Sequence, residues 1–190
     1  MKTKLATLAL AAVMAASFTA CGGEPAPKEP QVAGMAGAPM WVLDPTVEGG
    51  IAAVGSAQQS PGGFQFQKTE ALANARDELA RILSVKVTNM VKNFSQSTGV
   101  GDAQTFEKVA QQVSKQVASQ TLSGSRQKSL WINPANNEVF ILVVLDPEAV
   151  KAAAKASVTT SLKNDQALWQ QFQAKKADSA LDAEVDKLAQ

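Results

Sequence analysis

The feature that most constrains the fold of this chain is a run of apolar residues spaced three and four positions apart near its middle. Its members are Ala71, Leu72, Ala75, Leu79, Ile82, Leu83, Val87, Met90, Val91 and Phe94. These positions share one face of an α-helix, because a helix turns once in 3.6 residues. A helix with one apolar face must bury that face against another layer. The sequence therefore predicts a long helix packed against a core.

Three other segments have the length and composition of strands. Residues 50–57 form a short apolar stretch bounded by glycine, and residues 122–132 alternate imperfectly with polar side chains. A run of β-branched and aliphatic residues follows at 139–145, after turn-forming residues at 133–137. A continuous apolar run is typical of a strand covered on both faces. The last two segments therefore predict a hairpin whose second strand is central.

Two more helices are predicted from their capping residues. Asp102 is a natural N-cap for a helix that ends near Thr121, and Asp146 with Pro147 favours another helix start. The stretch at 158–161 is rich in Thr and Ser and is expected to weaken that helix. The order is β-α-α-β-β-α with an extra C-terminal helix, which predicts an α+β fold. A small antiparallel sheet of about three strands would pack against the long helices.

The C-terminal segment, residues 157–190, is predicted to be a helical tail. It is charged and rich in alanine, with apolar positions at Leu168, Trp169, Phe172, Leu181, Val185 and Leu188. The tail that carries these side chains could fold back on the domain, pair with a second copy of the chain, or dock on a partner. Self-association or a partner is slightly favoured over simple packing.

The N-terminus has the three regions of a secretory signal in order. Lys2 and Lys4 precede an uncharged apolar run at residues 5–16, and a short stretch of mostly small residues leads to Cys21. The run of about a dozen residues is too short for a spanning helix, which needs roughly 20. Residues 1–20 are therefore predicted to be a signal peptide cleaved between Ala20 and Cys21.

Cys21 is the sole cysteine of the chain, and its position after a small residue resembles the bacterial lipobox. That resemblance implies a diacylglycerol on the Cys21 sulfur and an acyl chain on the new amine. Phe18 stands where Leu is usual in this motif and Thr19 where Ala or Ser is usual. Gly22 follows, which by the enterobacterial sorting rule implies the outer membrane. The alternative is an ordinary signal peptide beside an isolated thiol.

Composition excludes several classes of function. The chain has no His and one Cys, which removes imidazole bases, His-bearing zinc sites and an internal disulfide. Lys and Arg number 18 against 17 Asp and Glu, and loss of residues 1–20 removes two Lys, which leaves 16 against 17. A chain this close to neutral has no field to hold nucleic acid. No nucleic-acid partner is therefore expected.

Residues 21–38 are rich in Gly, Pro and Ala and predict a flexible tether after the lipidated Cys21.

The chain resembles the LPP-twenty family of bacterial surface lipoproteins over about residues 39–151. The resemblance lies in the Pro-Met-Trp at 39–41, the strand at 50–57, the helix at 71–82, Trp131 and the run at 139–145. It implies a sheet-and-helix domain, compared with dodecin-like folds, over residues 39–156. It also implies an outer-membrane location and a role in envelope or flagellar assembly, since the group includes a flagellar outer-membrane lipoprotein.

Three tryptophans are candidate packing or interaction residues. Trp41 is interpreted as a plug on the core more readily than as a partner-binding aromatic, and Trp169 belongs to the tail. Trp131 lies near a turn and could stack on a flat ligand such as a flavin, but no phosphate-binding loop accompanies it. Flavin binding is therefore disfavoured.

No catalytic residue, metal site or cofactor is predicted. Glu70, Asp77 and Glu78 could suggest acid and base groups, but the basic residues around them favour a salt-bridged, solvated face in which Asp77 pairs with Arg81. The predicted function is a non-enzymatic role through protein partners in the envelope or the flagellar base, with the membrane bound through Cys21 and a homo-oligomer as one option. The alternative is a module that binds a cell-wall fragment or a flat cofactor. An enzyme is the weakest option.

Overall fold

A computed structural model describes residues 33–48 and 50–189 of the chain. The predicted signal peptide and Cys21 lie outside these residues. The strands are β1 (Ile51–Ala57), β2 (Arg126–Ile132) and β3 (Val139–Leu145), and short 3-10 turns cover Leu122–Gly124 and Lys187–Ala189. The helices are α1 (Met40–Leu43), α2 (Gly63–Thr98), α3 (Ala103–Thr121), α4 (Pro147–Lys163), α5 (Gln166–Ala174) and α6 (Asp178–Asp186). The predicted α+β class with a small antiparallel sheet is confirmed.

The sheet has the order β1-β3-β2, with both pairs antiparallel. The strand at Val139–Leu145 is central, as its continuous apolar composition predicts. The register of β2 against β3 shifts between Gln127 and Ser129, which marks an irregularity in this edge strand. A charged edge strand with an irregular register resists pairing with another chain.

Helix α2 lies against β1 at very short range because of one glycine. A Cβ atom added to Gly55 would stand 2.1 Å from the backbone nitrogen of Ala75 and 2.3 Å from the carbonyl oxygen of Ala71. Ala71 and Ala75 are themselves fully buried. Small side chains on both partners thus let helix and strand touch through their backbones, and this contact places the sheet on the helical core.

The helical core closes around three phenylalanines. The ring of Phe94 in α2 lies 6.3 Å from that of Phe106 in α3 and 6.1 Å from that of Phe172 in α5. Separations of this size are typical of packed aromatic pairs. Five of the six apolar positions of the C-terminal tail are buried in the same core, and Trp169 is partly buried against it; the five are Leu168, Phe172, Leu181, Val185 and Leu188. Of the three interpretations of the tail, the structure shows folding back on the domain.

Helix α5 also holds the turn between α2 and α3. The Nζ of Lys175 donates a hydrogen bond to the carbonyl of Gly99, and the backbone N–H of Gly101 donates to Oε1 of Gln171 at 2.8 Å. Gly99 ends α2 in the left-handed conformation, with φ of 64°. The tail therefore fastens the connection between the two long helices.

Two sequence expectations about the C-terminal region are wrong. Helix α4 continues unbroken through residues 158–161, and the predicted boundary between residues 156 and 157 lies inside it. Burial of Val158, Ser161 and Leu162 in the core overrides the weak helix propensity of this stretch. The extra terminal helix is two helices, because Lys176 takes a left-handed conformation with φ of 49° and separates α5 from α6.

Candidate functional site

The face of the sheet turned away from α2 is the first candidate surface, and we call it the outer face. Successive side chains of a strand point to opposite faces. Ile141, Val143 and Leu145 of β3 join the helical core, so Phe140 and Leu142 point outward. These two residues are nevertheless only 6% and 2% exposed. Something other than the helical core therefore covers the outer face.

That cover includes the segment that precedes β1. Helix α1 contacts β3, and it lies on the outer face because α2 occupies the other face of the sheet. Trp41 is half-buried within this short helix. The carboxylate of Asp44 accepts hydrogen bonds from the hydroxyl and the backbone N–H of Thr46, which holds the pKa of Asp44 below its ordinary value. Trp41 thus lies at the start of the domain, in the short helix that contacts β3.

Trp131 forms an aromatic pair on the same outer face. It stands opposite Phe140 in the register of β2 and β3, with ring centroids 5.4 Å apart and planes tilted by 43°. Opposed aromatic residues on neighbouring strands stabilise a sheet. One side of the indole is therefore in contact with the protein's own side chain, and Trp131 is half-buried.

Trp169 lies elsewhere, in the helical layer. Its ring stacks on Phe172 at 5.3 Å with an interplanar angle of 16°, and Nζ of Lys163 stands 5.2 Å from the ring centroid. Both contacts are favourable for an indole at the edge of a core. The structure does not bring Trp169 together with Trp131, so the three tryptophans do not form one site.

The end of the predicted tether is fastened to the domain. Asn133 is buried at the β2–β3 turn, where its Nδ2 donates to the carbonyl of Gly34 at 2.8 Å and its Oδ1 accepts from the N–H of Ala135 at 3.0 Å. Ala38 is buried as well. The prediction of a flexible tether over residues 21–38 is therefore wrong for its last residues, because the Gly34 carbonyl is bound by a side chain 99 positions away and Ala38 is buried.

The same turn also meets the start of α2. The Nε2 of the buried Gln67 donates to the carbonyl of Asn137 at 2.7 Å and to that of Ala57 at 2.9 Å. Residues 33–35, the turn at 133–137 and residues 63–67 of α2 therefore lie together, and we call this region the tether end. We include Ile132, the last residue of β2 before this turn, so the tether end carries Phe64, Phe66 and Ile132, which are 46%, 57% and 42% exposed.

Sequence reasoning missed the apolar side chains of the tether end. The signal that could have found them is the Phe-Gln-Phe at residues 64–66, which lies between a Pro-Gly-Gly turn and the apolar stripe of α2 but outside the spacing of that stripe. An aromatic residue outside the buried face of a helix is expected to be exposed to solvent or to contact a partner.

The candidate acid and base groups are on solvated faces of helices. Arg81 pairs with Glu78, with Nη2 and Oε2 2.6 Å apart, and the predicted pair of Arg81 with Asp77 is wrong. Glu107 pairs with Lys92 at 2.9 Å, and this lysine lowers the pKa of Glu107. Exposed pairs of this kind are worth little and carry no catalytic arrangement. Within residues 33–48 and 50–189, no cluster of His, Cys, Asp or Glu could hold a metal ion.

A polar groove lies beside the tether end, at the end of β1. It has a volume of about 430 Å³ and is lined by Ser56, Ala57, Gln58, Gln59, Ser60, Glu70 and Glu138. Ligand pockets are mostly apolar with a few polar groups, whereas this groove is polar almost throughout. None of the three tryptophans lines it.

The comparison with protein families decides the class of the chain. The family model of the LPP20 lipoprotein matches residues 39–146, which is more than half of the chain. The chain belongs to the LPP20 lipoprotein family. The match runs from the residue before α1 to the cap of α4, so it contains the whole sheet and leaves α4, α5 and α6 outside. No curated protein matches the chain.

Membership of the LPP20 family has two consequences for function. It implies a membrane-anchored protein of the cell envelope, and the family is not a known enzyme family. In the part of the chain that the structure describes, no helix is long and apolar enough to cross a membrane.

Proposed function

We propose that this LPP20 protein is an outer-membrane lipoprotein, anchored through acylated Cys21, that acts without catalysis through protein contacts in the cell envelope. The observation that carries the proposal is the position of the sole cysteine. Cys21 follows the predicted signal sequence, separated from its apolar run by residues 17–20, and precedes an LPP20 domain that begins at residue 39. A lone thiol in an exported protein is unusual unless it is modified.

Three acyl chains would make the anchor firm. Each buried methylene contributes about 0.8 kcal/mol to membrane binding, so one chain binds reversibly and two or more bind stably. Lipidation of Cys21 would also account for a membrane protein whose described helices are too short or too polar to span a bilayer.

A non-catalytic role is supported by the arrangement of the charged residues. Glu78 of α2 and Glu107 of α3 form ion pairs with Arg81 and Lys92, and Asp102 caps α3. General acid and base catalysis needs a group held in a pocket with a shifted pKa. The flagellar base is the first assembly to test for partners, because the family resemblance includes a flagellar outer-membrane lipoprotein.

The anchor is tested by replacing Cys21 with Ser in the producing cell. The wild-type protein is expected to incorporate labelled palmitate and to sediment with membranes, whereas Cys21→Ser is expected to do neither. Gly22→Asp is a matched variant that keeps the lipid and is expected to move the protein to the inner membrane in an enterobacterial host. If Cys21→Ser remains in the membrane fraction, the lipid anchor is wrong.

Partners are tested by crosslinking in intact cells and purification through a tag placed after Gln190. Recovery of basal-body or disk proteins with the wild-type chain, and not with Cys21→Ser, would support an assembly role at the flagellum. Recovery of other envelope proteins alone would support a general envelope scaffold instead. A ligand of non-protein mass that co-purifies with both forms would contradict the protein-contact role.

A further inference from the structure

The tether end exposes three large apolar side chains in one region of the molecule. Phe64 and Phe66 lie in the first turn of α2, and Ile132 precedes the buried Asn133 at the end of β2. Gln67 joins the two elements through its hydrogen bond to Asn137. Single exposed apolar residues are ordinary, but grouped ones mark a surface that meets an apolar partner.

The chain that leads to the predicted anchor arrives at this same region. Gly34 is bound to Asn133, and residue 33 is only twelve positions after Cys21. A fully extended chain spans at most about 3.6 Å per residue, so the tether end lies within roughly 40 Å of an acylated Cys21.

We propose that the tether end is a membrane-contact surface, in which Phe64 and Phe66 enter the interface of the same bilayer that holds the acyl chains of Cys21. The inference rests on the proposed function, because it requires the lipid anchor. Exposed aromatic side chains are among the groups that bury at the boundary of headgroups and acyl chains.

We expect this region to contact a lipid surface rather than a second copy of the chain, because the anchor gives the bilayer a high effective concentration near it. Attachment through Cys21 makes contact with the bilayer intramolecular, and short linkers give effective concentrations in the millimolar range. Two phenylalanines that would bind a free vesicle weakly are therefore sufficient once the chain is anchored. The nearby charges are of both signs, with Lys68 two positions before Glu70, so the contact does not depend on anionic lipid.

Membrane contact at the tether end would also orient the domain. Helix α2 has 36 residues and starts at this end. At 1.5 Å per residue its far end, at the turn with Gly99 and Gly101, lies about 54 Å along the helix axis. That turn and the tail that holds it would then face away from the bilayer.

The test uses the full-length lipidated protein in phosphatidylcholine vesicles, with an environment-sensitive fluorophore on a single new cysteine. Cys21 is acylated in this protein, so Phe66→Cys carries the only thiol. Val85→Cys is the matched control, because Val85 is 60% exposed in the middle of the same helix. The expected result is a blue-shifted emission at position 66 and quenching by brominated lipid several-fold greater than at position 85.

A second variant asks whether the phenylalanines cause the contact. The same fluorophore at Ile132→Cys is expected to be quenched by brominated lipid, and the added change of Phe64 and Phe66 to Ser is expected to abolish most of that quenching. Both phenylalanines are exposed, so their replacement leaves the core intact. Unchanged quenching in this variant would overturn their role.

Vesicle flotation separates failure of this inference from failure of the anchor. If the labelled protein floats with the vesicles and position 66 is as water-exposed as position 85, the membrane-contact surface is wrong and the anchor stands. A blue shift at position 66 without quenching by brominated lipid would mean that protein covers it, which also overturns the inference. If the protein does not float, the lipid anchor is wrong and the inference falls with it.

Discussion

The two faces of the sheet are both apolar, but they are buried in different ways. The inner face meets α2 through small residues, and Gly55 lets the backbones of β1 and α2 touch. The outer face carries the larger side chains of Phe140 and Trp131, and the described segment before β1 crosses it with a helix of only four residues. The packing of the inner face therefore cannot accommodate a larger side chain. On the outer face, the short segment before β1 can shift when a side chain is changed.

The largest expected effect comes from filling the closest contact of the inner face. Gly55→Val would place side-chain atoms against the backbone of Ala71 and Ala75, which cannot move aside as a flexible side chain could. We expect a loss of more than about 4 kcal/mol in the free energy of unfolding, and with it the loss of cooperative folding. Urea denaturation followed by circular dichroism measures it. Ser56→Val, the next residue of the strand, is the control, and equal midpoints for the two variants would contradict the difference between the faces.

Substitutions at two neighbouring residues of β3 allow a direct comparison of the two faces. Ile141 is fully buried on the inner face and Leu142 is 2% exposed on the outer face. Ile141→Ala is expected to cost about 3–5 kcal/mol in unfolding free energy, because a rigid layer leaves the cavity open. Leu142→Ala is expected to cost about 2 kcal/mol, because α1 can settle into the space. A larger loss for Leu142→Ala, measured by the same denaturation, would show that the outer face is the more rigid one.

A smaller change tests how the outer cover is fastened. Asn133→Ala removes the hydrogen bonds to Gly34 and Ala135 and is expected to cost about 1–3 kcal/mol. It should also release residues 33–38, so that elastase cleaves there faster than in the wild-type chain. Asn136→Ala, at an exposed position of the same turn, is the control. Equal cleavage rates in the two variants would mean that Asn133 does not hold the segment.

The smallest effect concerns the cap of α3, far from both faces. The Asp102 carboxylate accepts hydrogen bonds from the N–H and hydroxyl of Thr105, and these lower its pKa. A lowered pKa in the folded state adds stability above the unfolded value, near pH 4, and this contribution is lost as the pH falls through the folded pKa. Asp102→Asn cannot titrate. The wild-type chain should therefore be the more stable at pH 7, and a gap in urea midpoints that persists at pH 2 would contradict this.

The sequence predicts the core of the fold well, because that core depends on local patterns. The stripe from Ala71 to Phe94 has the period of a helix, and its members are buried or half-buried in α2. Asp102 and Asp146 cap helices as predicted, because a cap needs only a side-chain oxygen at one position. The central strand follows from a continuous apolar run.

The remainder depends on contacts between distant residues, which no local pattern shows. Val158 keeps α4 helical because the core buries it, and Gly34 is held by a residue 99 positions away. The grouping of Phe64, Phe66 and Ile132 likewise requires the turn and α2 to meet through Gln67. Helix α2 begins at Gly63, eight residues before the apolar stripe. The stripe does not reveal this start, because the first turns of the helix lie largely in solvent.

The contacts of α5 and Lys175 with the α2–α3 turn join the segment after residue 146 to the domain that the LPP20 model matches. The family match ends at residue 146, yet the ring of Phe172 packs on Phe94 within the matched region. In this chain the aromatic surface that Phe94 and Phe106 form is therefore covered by residues outside the match. Removal of the chain after residue 146 would expose that surface to solvent.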